Sequence, residues 1–258
     1  MAEERVRAEL LESGTLLHLV LDSAPGNILT SGLMEQLGHQ LASHENERSL
    51  HMVALQGAGG QFCWGASVEE HRQATAKGML RSLSRLVREI ARYPVPVAAL
   101  VEGRCLGGGF ELALACQLIF TTEDAQMGCP EIKLGVFPPV LAALGPSRLG
   151  GALSDRLVLT GESLSAAEAR ACGFSTAIFD GPDPFARFSE WYRKGPARMS
   201  AAALRTASHA VRLGTAKALG ARLEELEQLY LDRVLASHDG NEGIEAFIAR
   251  RTPVWKDA

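Results

Sequence analysis

The sequence predicts an α/β fold whose C-terminal part is helical only. Short apolar runs alternate with segments of helical period as far as about residue 180. Glycine clusters punctuate the boundaries between them. Beyond Asp180 the pattern is helical almost throughout, so the composition changes between residues 180 and 195. The 258 residues suit one large domain with a small appendage. Hydrophobic residues make up 47% and charged residues 22%, which argues against disorder or a coiled coil. Aromatics are only 6%, so the core is expected to be aliphatic.

The elements follow in order. Two strands are expected near Arg5 to Leu11 and Leu16 to Leu21, with Ser13-Gly14 turning between them. Pro25-Gly26-Asn27 is a loop, and Ser31 is expected to cap a helix through Leu33, Leu37 and Leu41. His51 to Leu55 reads as a buried strand ending in a glycine-rich loop at Gly57. A helix is expected from about Ala74 to Arg92, stopped by Pro94 and Pro96. Val97 to Val101 and Leu118 to Thr121 read as strands, with a helical run from Glu111 to Cys116 between them. Pro130-Glu131-Ile132 starts a helix or tight turn. Residues 140 to 160 read as helix broken at Gly145-Pro146 and Gly150-Gly151. Ser165 to Glu168 is a capping box, with Gly173 as the helix stop. Four helical segments complete the chain, at 183–194, 199–212, 216–235 and 240–250.

Several function classes are set aside. The net charge is −4, so no basic nucleic-acid stripe is implied. No apolar run approaches the roughly 18 residues of a membrane span. The N-terminus is charged and lacks a signal-peptide core. The five cysteines form no C-x-x-C pair, so a reduced, cytoplasmic protein is expected. The seven histidines show no ligand spacing, and no metal is expected.

Two glycine-bearing loops could bring bare backbone to a ligand. Gly107-Gly108-Gly109 lies between a strand and a helix, where unpaired N–H groups can hold a developing oxyanion. The same cluster can equally be a tight turn. Gly65-Ala66 precedes a polar, helix-like stretch and offers a second such N–H. Gly57-Ala58-Gly59 is not a dinucleotide fingerprint, because Phe62 stands where the third glycine belongs. Glu111 and Glu131 are the candidate proton-transfer groups. A first-turn glutamate is favoured by the helix dipole alone. Their apolar surroundings point further, because a desolvated carboxyl exchanges protons near neutral pH.

Taken together, EGRCLGGGFELALACQ, FCWGASVEE, MGCPEIKLGVFPP, LVLTGESLSAAEARACGFS and EGIEAFIARRTPVWKD resemble the crotonase superfamily, the enoyl-CoA hydratase/isomerase family. The resemblance spans nearly the whole chain. It implies a ββα spiral core over residues 1–195 and a helical assembly region over 196–258 that builds trimers or dimers of trimers. It implies an acyl-CoA thioester substrate and no separate cofactor, since coenzyme A is part of the substrate. By this resemblance Ala66 and Gly108 supply the oxyanion hole, and Glu111 and Glu131 are the two catalytic glutamates. Gly65, Ser67, Val68, Gly107, Pro130, Phe137 and Pro139 line the substrate site. Phe247 and Arg250 match positions that reach the coenzyme A of a neighbouring subunit. Glu131 then exchanges a proton at the α-carbon, and Glu111 orients and activates water at the β-carbon. Each oxyanion donor is worth about 3–4 kcal/mol in such sites.

The chain departs from the family pattern where it carries Ser67 in place of the usual aspartate and Pro139 in place of a glycine. Proline offers no N–H to the water side of the site. The substrate is therefore expected to differ from a plain straight-chain enoyl group. The resemblance leads to a branched acyl group such as 3-methylglutaconyl-CoA, with a cyclic dienoyl-CoA as the alternative. Isomerase or decarboxylase chemistry through the same oxyanion hole is a further alternative, and an RNA-binding role a remote one.

Overall fold

The computed structural model describes residues 5–181 and 183–258. Strands β1 (Arg5–Leu11) and β2 (Leu16–Asp22) form an antiparallel hairpin across a 3-10 turn at Glu12–Gly14. Helix α1 (Ser31–His44) follows, then β3 (Met52–Gly57), α2 (Ala76–Arg92) and β4 (Val97–Val101). Next come β5 (Arg104–Leu106), α3 (Gly108–Ala115), β6 (Leu118–Thr122) and β7 (Gln126–Gly128). A 3-10 turn at Pro130–Leu134 leads to α4 (Pro139–Arg148) and α5 (Gly151–Thr160). Strand β8 (Ser163–Ser165), α6 (Ala166–Ala171) and β9 (Ala177–Phe179) complete the mixed part. Helices α7 (Pro184–Lys194), α8 (Ala201–Leu229) and α9 (His238–Ile248) form the C-terminal part.

The strands sort into two sheets. The larger runs β1-β2-β3-β4-β6-β9, parallel except for the first pair, and the smaller runs β5-β7-β8. Successive turns of chain give one strand to each sheet and then a helix: β4, β5, α3 and then β6, β7, the 3-10 turn and α4. This is the spiral repeat. The central strand β4 is buried at every residue, as a parallel strand covered on both faces must be. Leu, Val, Met and Ala dominate the main core, as the low aromatic content implies. A second, aromatic-rich cluster gathers separately, with Phe120, Phe188 and Tyr192 packing α7 on the other face of the large sheet.

Several elements differ from the sequence reading. Thr30, not Ser31, caps α1, accepting from the Leu33 N–H; Ser31 instead donates to Glu70 through Oγ at 2.6 Å. Gly145-Pro146 does not break α4, which continues through Pro146 to Arg148, and the chain turns into α5 at Gly150. The expected break between 212 and 216 is absent, and α8 runs continuously for 29 residues. The three-residue strands β5, β7, β8 and β9 carry too little periodicity to read. The Ser165–Glu168 capping box is present with both of its hydrogen bonds.

Asn27 joins the first spiral turn to the loop that will form one wall of the site. It is 2% exposed with φ of 53°, and its Nδ2 donates to the carbonyls of Ala58 at 2.9 Å and Gln61 at 2.8 Å. Its Oδ1 accepts the Ser23 N–H at 3.1 Å. Asn27→Ala leaves these buried groups unpaired and is expected to cost about 2–3 kcal/mol. Chemical denaturation checks this, and a loss below about 0.5 kcal/mol would show that the amide is dispensable.

Candidate active site

The strand pairing places the two glutamates. In the small sheet Leu106 of β5 stands beside Gly128 of β7 in parallel register. Glu111 lies five residues beyond the first and Glu131 three residues beyond the second, so twenty residues of sequence collapse to one point of the spiral. Gly107 keeps them close. Its φ is 50°, and a Cβ there would stand 2.7 Å from Glu131 Oε1.

Two loops form the opposite wall. The 62–67 segment is pinned to β5 and to Leu29. Leu106 donates to the Cys63 carbonyl at 2.9 Å, Leu29 donates to Gly65 at 2.9 Å, and Ser67 donates to Leu29 at 3.0 Å. These bonds use the groups flanking the Ala66 N–H and leave it without an acceptor among the described residues. The Gly107 N–H is spent on Gly128 at 2.8 Å, so the Gly108 N–H, at the start of α3, is likewise without an acceptor. A Cβ on Gly108 would lie 3.1 Å from the Ala66 nitrogen. The two open donors therefore sit on touching segments.

Glu111 is 2% exposed. Its Oε1 accepts the N–H of Val140 at 2.7 Å and of Leu141 at 3.0 Å, two orphan donors of the first turn of α4. Pro139 is the first residue of that helix, where no N–H is needed. The missing donor thus does not open the site; the next two N–H groups are turned onto Glu111. Glu131 is partly open to the cleft, but its Oε2 is buried with no hydrogen-bond partner. Burial raises the pKa of both carboxyls. The charge of Glu111 raises Glu131 further, whereas the Leu141 and Val140 N–H groups pull Glu111 back. The two fixed donors favour the ionised form at Glu111 over that at Glu131.

A cleft of about 400 Å³ leads to this point. Gly65, Ala66, Val68, Gly107, Pro130 and Glu131 all line it, which brings together much of the expected set. Others stand apart. Ser67 faces away, its Oγ donating to Glu69 at 3.2 Å. Phe137 packs on Tyr230 with ring centroids 5.5 Å apart, and Pro139 is buried behind Glu111. Phe247 lines the cleft of its own chain and is 55% exposed, while Arg251 rather than Arg250 lies beside it. The sequence reading omitted Trp64, His71, Lys133 and Tyr230. His71 Nδ1 meets the Ser67 carbonyl at 2.7 Å across one local turn, and only the tertiary packing sets that turn beside the cleft. Trp64 stands at the cleft with the Arg104 guanidinium over its ring at 5.3 Å.

Glu131 holds its proton more tightly in the folded than in the unfolded chain. Such a group contributes stability that is complete below the ordinary carboxyl pKa of 4.5 and is lost as pH rises through its folded value of about 8. Glu131→Gln cannot ionise. The variant is expected to show a flatter thermal midpoint from pH 5 to 9 and to equal or exceed the wild type at pH 9. A parallel pH dependence in both proteins would refute a buried acid at this position. Gly107→Ala is expected to lower activity strongly, because its Cβ displaces the Glu131 carboxyl and the positive φ is strained; steady-state turnover beside the wild type checks this.

Known proteins resemble this chain over nearly its whole length. The enoyl-CoA hydratase/isomerase family profile matches residues 12–258. The chain is 37% identical over 256 residues to cyclohexa-1,5-dienecarbonyl-CoA hydratase of Thauera aromatica, covering 99% of this chain and 98% of that one. It is 32% identical to 2,3-dehydroadipyl-CoA hydratase of Escherichia coli (strain K12), covering 90% and 91%. A crystal structure of an enoyl-CoA hydratase from Mycobacterium avium subsp. paratuberculosis K-10 superposes with a TM-score of 0.84 at 28% identity, covering 98% of each chain. With the spiral fold, the two glutamates and the two open N–H donors in place, the chain belongs to the enoyl-CoA hydratase/isomerase family.

Proposed function

We propose that this protein is a hydro-lyase that adds water reversibly to a conjugated double bond of an acyl-CoA thioester, and that the acyl group is a cyclic diene. One observation carries the reaction class: two desolvated carboxyls, only one of them held by two backbone N–H donors of α4, stand near a pair of unspent backbone N–H groups. The thioester oxygen takes the Ala66 and Gly108 N–H groups. Glu111, ionised, accepts a proton from water while the water oxygen bonds to the β-carbon. The π electrons move toward the carbonyl, and the oxyanion hole holds the resulting enolate. Glu131, protonated, delivers its proton to the enolate carbon. Dehydration is the reverse. The cyclic substrate is supported by the relative from Thauera aromatica, which matches this chain at 37% over nearly its full length.

A second reading has its own observation. Lys133 lines the cleft and is exposed, so an ammonium is available to an acyl group that ends in a carboxylate, as 3-methylglutaconyl and dehydroadipyl groups do. The assembly proposed with either reading is a homotrimer or a dimer of trimers. Its support is the set of apolar side chains left on α8, where Val211 is 73% and Leu213 58% exposed.

Cyclohexa-1,5-dienecarbonyl-CoA, 3-methylglutaconyl-CoA and crotonyl-CoA, offered in 18O-labelled water, separate these readings. The cyclic thioester is expected to turn over fastest and to carry the label in its new hydroxyl. Glu111→Ala and Glu131→Ala are each expected to lose at least about a hundredfold in kcat. Undiminished turnover in both variants would end the two-glutamate assignment. A preference for the carboxylated thioester that disappears in Lys133→Ala would favour the second reading.

A further inference from the structure

Tyr230 is 1% exposed, yet its hydroxyl has no hydrogen-bond partner. A phenol buried without a partner is costly and calls for a reason. Its surroundings supply one. Its ring packs against Phe137, between the Glu131 turn and α4. Burial raises its pKa, and the charges of Glu131 and Glu111 raise it further, so the phenol stays protonated and lies within electrostatic reach of both carboxyls. Glu131 Oε2 is likewise buried and unpartnered. Two orphan polar groups near one carboxylate are the lining of a site for a small polar guest.

The local backbone adds an independent observation. At Tyr230 the long helix α8 gives way to a π turn over Tyr230–Val234, with the Leu235 N–H bonded to the Tyr230 carbonyl at 3.1 Å. Such a turn weakens a helix and persists where the displaced side chain has a task.

Building on the hydratase reading above, we propose that the Tyr230 hydroxyl is a positioning group for the water that adds to the double bond. The phenol O–H donates to the water oxygen. One water O–H donates to the Glu111 carboxylate, and the other to the unprotonated oxygen of Glu131. Three hydrogen bonds then fill three tetrahedral directions of the oxygen, and the remaining lone pair faces the β-carbon. When that lone pair forms the C–O bond, the proton on the Glu111 side passes to Glu111 and the Glu131 proton passes to the enolate carbon. The phenol keeps its own proton. In dehydration the same O–H supports the departing hydroxide. This function suits a chain in which the α4 N–H groups are already spent on Glu111 and Pro139 has none to give.

Tyr230→Phe removes one oxygen and keeps the ring. Cyclohexa-1,5-dienecarbonyl-CoA and crotonyl-CoA serve as hydration probes, and calorimetric binding of cyclohexanecarbonyl-CoA reports on the acyl pocket without any water chemistry. The variant is expected to lose about tenfold in kcat, the loss of one hydrogen bond to the reacting oxygen. KM and the binding of the saturated thioester should stay within about twofold. The thermal midpoint should hold or rise, because the unliganded protein loses no bond. An unchanged kcat overturns the proposal. So does a lowered thermal midpoint with weakened saturated-thioester binding, which would mark a structural phenol. A raised KM at constant kcat also overturns it, by assigning the hydroxyl to the acyl group. If the wild type hydrates neither probe, the hydratase reading itself fails and this proposal with it; an active wild type with an unaffected Tyr230→Phe fails the proposal alone.

Discussion

The site depends on a carboxylate that the first turn of a helix makes affordable to bury. Among the described residues no cation acts on Glu111, and an isolated buried carboxylate would simply take up a proton. The Val140 and Leu141 N–H groups change that balance by giving it two short hydrogen bonds and the positive end of a helix. The same bonds tie α3 to α4, and so tie the glycine-rich oxyanion strand to the wall behind it. Pro138-Pro139 aims α4, since a proline at the first helical position sacrifices no donor that the helix could use.

The rest of the chemistry follows from asymmetry between two like groups. Both glutamates are desolvated and each opposes ionisation of the other. Glu111 has two backbone N–H donors fixed on its carboxylate, whereas Glu131 has one oxygen with none. The environment therefore divides acid from base without any change of residue type. The oxyanion donors come from a similar economy of backbone bonds. The groups around the Ala66 and Gly108 N–H are all committed to Leu29, Gly128 and β5, which leaves these two aimed at the cleft.

The helical C-terminal part does more than offer a surface for assembly. Helix α9 closes on the Glu131 turn so tightly that Gly243 has no room for a side chain against the Leu134 carbonyl. Phe247 then becomes part of the wall of the same chain's cleft. Where α8 meets the site, its regular hydrogen bonding lapses at Tyr230. The division near residue 195 thus separates two patterns of secondary structure, while the chamber itself draws on both sides of it.

Much of this molecule was legible in its residues. Amphipathic helices such as α2 announce themselves because burying one face imposes a period on the sequence, and a strand buried on both faces such as β4 reads as a short unbroken apolar run. Glu111, Glu131, Gly108 and Ala66 were legible for another reason: their motifs sit in continuous stretches whose backbone must approach a ligand. What sequence could not show is where separate stretches meet. The short strands β5 and β7 have no period to read, yet their pairing is what joins residue 111 to residue 131. Pro139 looked like a missing donor, and only the tertiary structure turned it into the start of a helix whose next two N–H groups serve Glu111. Tyr230 lies in an unremarked helical stretch, and it packs on Phe137, a residue far away in the chain. Local patterning decided which elements form, since it reflects the burial of each element's own face; long-range packing alone decided which buried polar groups would be left unpaired, and so where the chemistry can occur.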